Sequence, residues 1–247
     1  MDAPAAAPSP GFDVTAALAE LPRATLEAML AAGEEALNCQ RVLKKTSSNI
    51  VADILRHQGT FYEWNHYPKG DAIDWDTQSQ YYYHAHPKEQ RPGEHGHFHT
   101  FMRYGGMPEG TAPAPLDIPQ KTNENRIGAH LVAVSMDKKG YVSKLFTVNR
   151  WVTDETFYPA DQVARMLENF EMDHAHPSWP TNRWLTAVMI LFRPQIRHLL
   201  AERDVCLDRW KADHPDIDHF EDRELEVTSE MDVDLNAQID AVKAALG

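Results

Sequence analysis

Two cysteines, Cys39 and Cys206, are all that 247 residues contain, and they stand far apart in segments of helical spacing. They form neither a C-x-x-C metal pair nor a disulfide framework, which excludes a finger-type zinc site and a stapled secreted scaffold. Both thiols are expected to be half-buried. Long apolar runs are missing too. The longest, Ala187–Phe192, stops at Arg193-Pro194, far short of the roughly 18 residues that a membrane span needs. The amino terminus is Ala/Pro-rich without a basic or an apolar signal region. Cytoplasmic residence with no membrane partner is therefore the default expectation. Basic residues are scarce: 24 Lys and Arg against 37 Asp and Glu leave a formal charge of −13. Sequence-independent nucleic-acid binding depends on basic surface, so nucleic acid is excluded as a partner. Also absent are G-x-S-x-G, the P-loop, G-x-G-x-x-G and H-E-x-x-H, and with them the common hydrolase, nucleotide and zincin signatures.

What is present has the texture of an α+β chain. Met1–Gly11 reads as a disordered tail and residues 12–247 as one domain. Apolar positions recur at helical spacing over Val14–Lys44, with Pro22 opening a fresh helix at its first position, and a short helix is expected at Asn49–His57. From about Phe61 to Thr153 aromatic and β-branched residues dominate, which predicts strands at Tyr81–His86, His95–Arg103, Ala129–Met136 and Val142–Val152. The last two flank Asp137-Lys138-Lys139-Gly140, a hairpin connection. Gly105–Arg126, Pro-rich and without periodicity, is expected to be a long loop covering a pocket. Helices return at Pro159–Phe170, at Asn182–Asp213 with a break at Pro194, and at Asp232–Leu246. The expected architecture is an antiparallel sheet of about four central strands packed by helices from both ends of the chain. It is not a doubly wound parallel fold.

Seven of the thirteen histidines fall in three H-x-H clusters: His84/His86, His95/His97/His99 and His174/His176. Neutral imidazole is the commonest transition-metal ligand, and alternate strand residues share one face. Residues i and i+2 lie roughly 6.5–7 Å apart, so two such histidines can converge on one ion. Three in a row span about 13 Å, too far for a straight strand to close on a single ion. Two of His95, His97 and His99 are therefore expected to ligate, with His97 and His99 central. A further ligand is expected from a neighbouring strand: His86, His84 or His130. Glu94 has the opposite parity and needs a bulge to join them. His174 and His176, beside Asp173, are candidates to cap the site from a loop.

The remaining features read more simply as structure. Cys206 with a histidine is a weak nucleophilic pair, because the thiol lies on the apolar side of a helix. Arg150 and Arg183 are candidates for anion binding, though packing beside Trp151 and Trp184 is the plainer reading. Phe61-Tyr62-x-Trp64 and Tyr81-Tyr82-Tyr83 suit sheet faces as well as an organic pocket. The repeated N-R-W-x-T at Asn149 and Asn182 falls in two different contexts and reads as coincidence.

An H-x-H strand resembles the cupin pattern, but no glutamate follows His97 or His99 between Phe101 and Gly106, and no P-x-G-x-x-H motif occurs. The pieces Gly96-His97-Phe98-His99, Leu145–Val152 and Asn182-Arg183-Trp184-Leu185 are instead similar to those of an uncharacterised bacterial protein family, over roughly Glu94–Arg203. That resemblance implies no known activity and transfers no functional residue.

The resulting expectation is a metal-dependent protein whose partners are a metal ion and a small-molecule substrate, an enzyme for oxidation or metal-assisted hydrolysis. Imidazole ligation suits iron or zinc first, with copper, nickel or manganese as alternatives. Two other readings stand beside it: a metal-buffering or delivery protein with several exposed sites, and a metal-free interaction domain with a hydrogen-bonded histidine face.

Overall fold

Strict alternation in the central strands sorts the side chains onto two unlike faces. In the computed structural model, which describes residues 11–116 and 128–247, these strands belong to a six-stranded antiparallel meander in chain order. The strands are β1 (Tyr67–Ile73), β2 (Ser79–His84), β3 (Glu94–Met102), β4 (Ala129–Asp137), β5 (Val142–Val148) and β6 (Val227–Asp232). One face carries Tyr81, Tyr83, Phe98, Met102, Val132, Val134 and Leu145, all buried in the main hydrophobic core. The other carries Tyr82, His84, His97, His99, Ala133, Ser135 and Phe146, equally buried but largely polar.

Eight helices are found among the described residues: α1 (Val14–Ala19), α2 (Arg23–Lys44), α3 (Ile50–Leu55), α4 (Arg150–Thr153), α5 (Ala160–Met166), α6 (Trp179–Leu191), α7 (Arg193–Asp213) and α8 (Leu235–Leu246). No helix among them is long and apolar enough to cross a membrane. Apolar residues of α2, α5, α6, α7 and α8 join the apolar sheet face in one core, with Phe98 against Trp184 and Tyr81 hydrogen-bonded to Asn182 at 2.6 Å. Gly33 lets α8 approach α2, because a Cβ there would strike Ile239. Burying each large side chain of this face contributes about 1.5–3 kcal/mol. The helical layer therefore anchors the sheet through one face and leaves its second face to be used otherwise.

The α+β expectation holds, with six strands where about four were expected. The two additional strands are the edges. β1 contains Pro68, Gly70 and Asp71, and β6 reads Val-Thr-Ser-Glu-Met-Asp, so neither shows the apolar alternation of a half-buried strand. Other boundaries move for local reasons. Pro22 and Pro159 sit at the caps of α2 and α5, one residue before the first helical position. The fifth strand ends at Val148, because Asn149 caps α4 through its side chain. The long C-terminal helix breaks at Phe192, which puts Pro194 in the first turn of α7. The expected tail lies almost wholly outside the described residues, as does the 117–126 part of the Gly105–Arg126 loop.

Gly96 is the tightest point of the sheet near the histidines: a Cβ there would collide with the His84 carbonyl and the Tyr83 ring. Gly96→Ala is expected to lower stability by about 1–3 kcal/mol, read from the urea midpoint. An unchanged midpoint would show that the β2–β3 pairing tolerates the side chain.

Candidate metal centre

His84 ends β2 and stands directly opposite His97 of β3, while His99 stands opposite Tyr82. The three imidazoles converge: His84 Nε2 lies 2.7 Å from His97 Nε2, which lies 3.1 Å from His99 Nε2. His97 and His99 are 1% exposed and His84 8%. An ion held at about 2.1 Å from each nitrogen needs N···N separations of about 3.0 Å at right angles or about 3.4 Å in a tetrahedron. The cluster is within a few tenths of an ångström of that geometry at its two short edges, and all three ligand atoms lie within 4.8 Å of one another. It could hold a metal ion.

Two β-bulges build the surroundings. In the β3–β4 ladder Glu94 pairs with Asp137 and Gly96 with Met136, so His95 is an extra residue and the parity reverses there. Glu94 thereby joins the histidine face. Its carboxylate accepts from His97 Nδ1 at 2.7 Å and from the Ser135 hydroxyl. With Nδ1 protonated, His97 Nε2 carries one bare lone pair, aimed at two other imidazole nitrogens. A carboxylate behind a ligating histidine is the usual arrangement that fixes its tautomer and raises its basicity. The second bulge leaves Leu131 unpaired between Thr100 and Phe101 and turns His130 onto the face. There His130 Nε2 meets His99 Nδ1 at 3.0 Å.

Of the residues singled out from sequence, His97, His99 and His84 come together. His84, ranked behind His95 and His86, is in the cluster. His86 lies just past the strand end, packed on Trp64 and 3.3 Å from Gln90, its ring centroid 5.2 Å from that of His97. His95 is the correction: the bulge turns it to the opposite side, where it bonds the Tyr83 hydroxyl at 2.7 Å. His174 and His176 are not part of the cluster. They line a separate cavity with Asp74 and Trp75 beside the β1–β2 turn. Arg150 and Arg183 pair with Glu221 and Glu35. Both thiols are free, and burial pushes that of Cys39 up to about 12. Of the expected covering loop, the described part runs past Ala114, whose N–H bonds Phe157 O.

Three residues escaped the sequence reading. His66 stacks on Tyr82 at 3.6 Å and lies 5.9 Å from the His84 ring. Its Nδ1 is 3.0 Å from Asp71, which is held in turn by Gln80 and adopts φ of 63°. Arg91 reaches over Phe146, which packs edge-on against His97. Glu155, fully buried, accepts from the His130 N–H at 2.5 Å. None stands in a repeated pattern; only the ladder register brings them near.

A model of the family described as Domain of unknown function (DUF6969) matches residues 30–233. The chain belongs to that family. The match extends well beyond the stretch Glu94–Arg203 that carried the resemblance in sequence, and takes in most of α2, all of α3 and the sixth strand. No curated relative and no solved structure matches the chain.

Burial keeps these imidazoles neutral. It pushes the pKa of His84 down to about 2 and that of His130 to about 3, with neighbouring cations adding to the effect, and holds His97 and His99 well below the ordinary 6.5. The unfolded chain therefore takes up protons first as pH falls below about 6.5. The stabilisation is complete above that pH and is lost below it, by at most about 1.4 kcal/mol per pH unit for each histidine. Glu155 works the other way: burial raises it to about 7, so its protonation on the way down from that pH favours the fold and offsets one of the four histidines. The urea midpoint of metal-free protein should fall between about pH 6.5 and about pH 5. A midpoint that is flat or rises over that window would mean that the imidazoles are not buried neutral.

Proposed function

We propose that this chain is a metal-dependent enzyme in which His84, His97 and His99 hold one divalent transition-metal ion for chemistry on a small-molecule substrate. The observation that carries the reading is the hydrogen bond from His97 Nδ1 to Glu94. It commits the opposite nitrogen to be a lone pair, and two further imidazole nitrogens face that lone pair at 2.7 and 3.1 Å. A neutral imidazole nitrogen accepts one good hydrogen bond, so the two facing nitrogens compete for the same lone pair, whereas a metal ion would engage all three nitrogens at once.

Three nitrogen ligands, with Glu94 engaged elsewhere, suit iron or zinc first and also copper, nickel or manganese. Such an ion, with a coordination position left open, supplies either an activated water or a place for dioxygen, which leaves metal-assisted hydrolysis and oxidation as the two reaction classes. His66, ordered by Asp71 and with a 40% exposed side chain, stands with its ring 5.9 Å from that of His84 and puts a second imidazole in contact with solvent beside the site. A buffering or delivery protein fits less well, because it calls for several exposed, weakly selective sites. Here one buried cluster is found among the described residues, and the His174/His176 pair lies outside it.

Metal analysis by plasma mass spectrometry of untagged protein tests this directly. About one ion per chain is expected in the wild type and none in a His97→Ala/His99→Ala variant that keeps its circular dichroism. Glu94→Gln should retain the fold and weaken metal affinity by about 10–100-fold. Two or more weakly held ions would favour the buffer. No metal after incubation with each ion would leave the hydrogen-bonded histidine face of an interaction domain.

A further inference from the structure

We propose that the substrate of the three-histidine site is a small organic anion and that Arg91 is the residue that holds its carboxylate. This rests on the metal reading above and adds the substrate class to it.

Arg91 lies in the β2–β3 connection, three residues before Glu94. Its guanidinium carbon sits 4.6 Å from the centroid of Phe146, and the same ring meets His97 with centroids 5.0 Å apart. The cation is thus no more than about 10 Å from the His97 imidazole, within reach of a short ligand that also touches the ion. A guanidinium offers five N–H donors in a planar fork matched to a carboxylate. The side chain, 16% exposed, makes one ion pair among the described residues, from its Nη2 to Glu226 at 2.7 Å.

Charge balance says what belongs on the remaining donors. A divalent ion on three neutral imidazoles brings two positive charges and Arg91 a third. Glu94 removes one, and Glu226 removes another in part, being one-third exposed. Asp71 is set against the opposite charge of Arg103, which reaches it through Gln80. About one positive charge is left in surroundings where an unpaired charge is costly. The chain as a whole carries −13, so the positive spot is local. A single carboxylate neutralises it, and the flanking Phe146 and Trp64 rings suit an organic body better than a bare inorganic anion.

The full-length protein loaded with Co(II) provides the test, because ligands near the ion perturb its visible absorption. The probes are malonate, succinate and glutarate, each titrated against the monocarboxylate of the same carbon number. The wild type should bind its best dicarboxylate at least about tenfold more tightly than the matching monocarboxylate, a difference of the size expected for one charge-assisted carboxylate pair. Arg91→Gln should reduce that preference to within about twofold while Co(II) binding persists, and Arg91→Lys should restore part of it. Glu226→Gln should move the other way and tighten the dicarboxylate, a gain that partial unfolding would not produce. No preference in the wild type, or a preference unchanged in Arg91→Gln, overturns the assignment of the anion to Arg91 and leaves the metal site standing. Failure of the wild type to take up Co(II) removes the site itself, and the inference with it.

Discussion

The proton that His97 gives from Nδ1 to Glu94 decides what its other nitrogen can do, and most of the unusual local structure exists to place that donor and acceptor together. Glu94 is out of phase with His97 in a regular strand. The bulge at His95 brings it into phase, and Gly96, with no Cβ, lets the β2 backbone come close at that point. Ser135 then occupies the second carboxylate oxygen from β4. Three strands thus fix one tautomer, and the tautomer leaves a lone pair facing two more imidazoles.

That arrangement is sustainable only because the opposite face of the same strands is apolar and heavily packed. Phe98 lies between His97 and His99 in sequence yet points into Trp184 and the helices. The burial of Phe98, Tyr81, Tyr83 and Val134 offsets the cost of enclosing polar rings on the other side. Enclosure has its own electrostatic consequence. It keeps a second proton off each imidazole near neutral pH, so every ring keeps one N–H and one lone pair that a metal cation can take up. An excess of positive charge would follow the cation in, and Arg91 paired to a partly exposed Glu226 is where that excess can be met by an incoming anion.

How much of this was legible in the chain follows the same physics. Period-two histidines beside alternating aromatics gave the central strands and their shared face, because that regularity is a property of the pleat. The edge strands have no buried stripe to advertise them; they are held by ladder bonds to β2 and β5 instead. The bulges have no sequence signature of their own, which is why His95 was grouped with His97 and His99 and why Glu94 was left conditional. Pairing register is also invisible locally: that His84, and not His86, faces His97 depends on where the β2–β3 ladder starts. His66 and Arg91 sit alone in loops, and only their contacts with Tyr82 and Phe146 give them meaning.

A sheet face that needed only polarity would be easier to build from Thr, Ser or Gln, as Thr147 shows by bonding Thr228 and Ser229 at 2.8 and 2.6 Å. Hydroxyls donate and accept at one atom and satisfy one another without a fixed tautomer. Imidazoles in direct contact do so less freely: each has one donor and one acceptor on opposite sides of a rigid ring, and His97 has already spent its donor on Glu94. The chain uses hydroxyls at the β5–β6 pair and imidazoles at the centre, two solutions within one sheet. The difference between them is what supports a ligand for the second, since the property that imidazole adds over hydroxyl in a dry, neutral setting is a lone pair that a metal ion can take up.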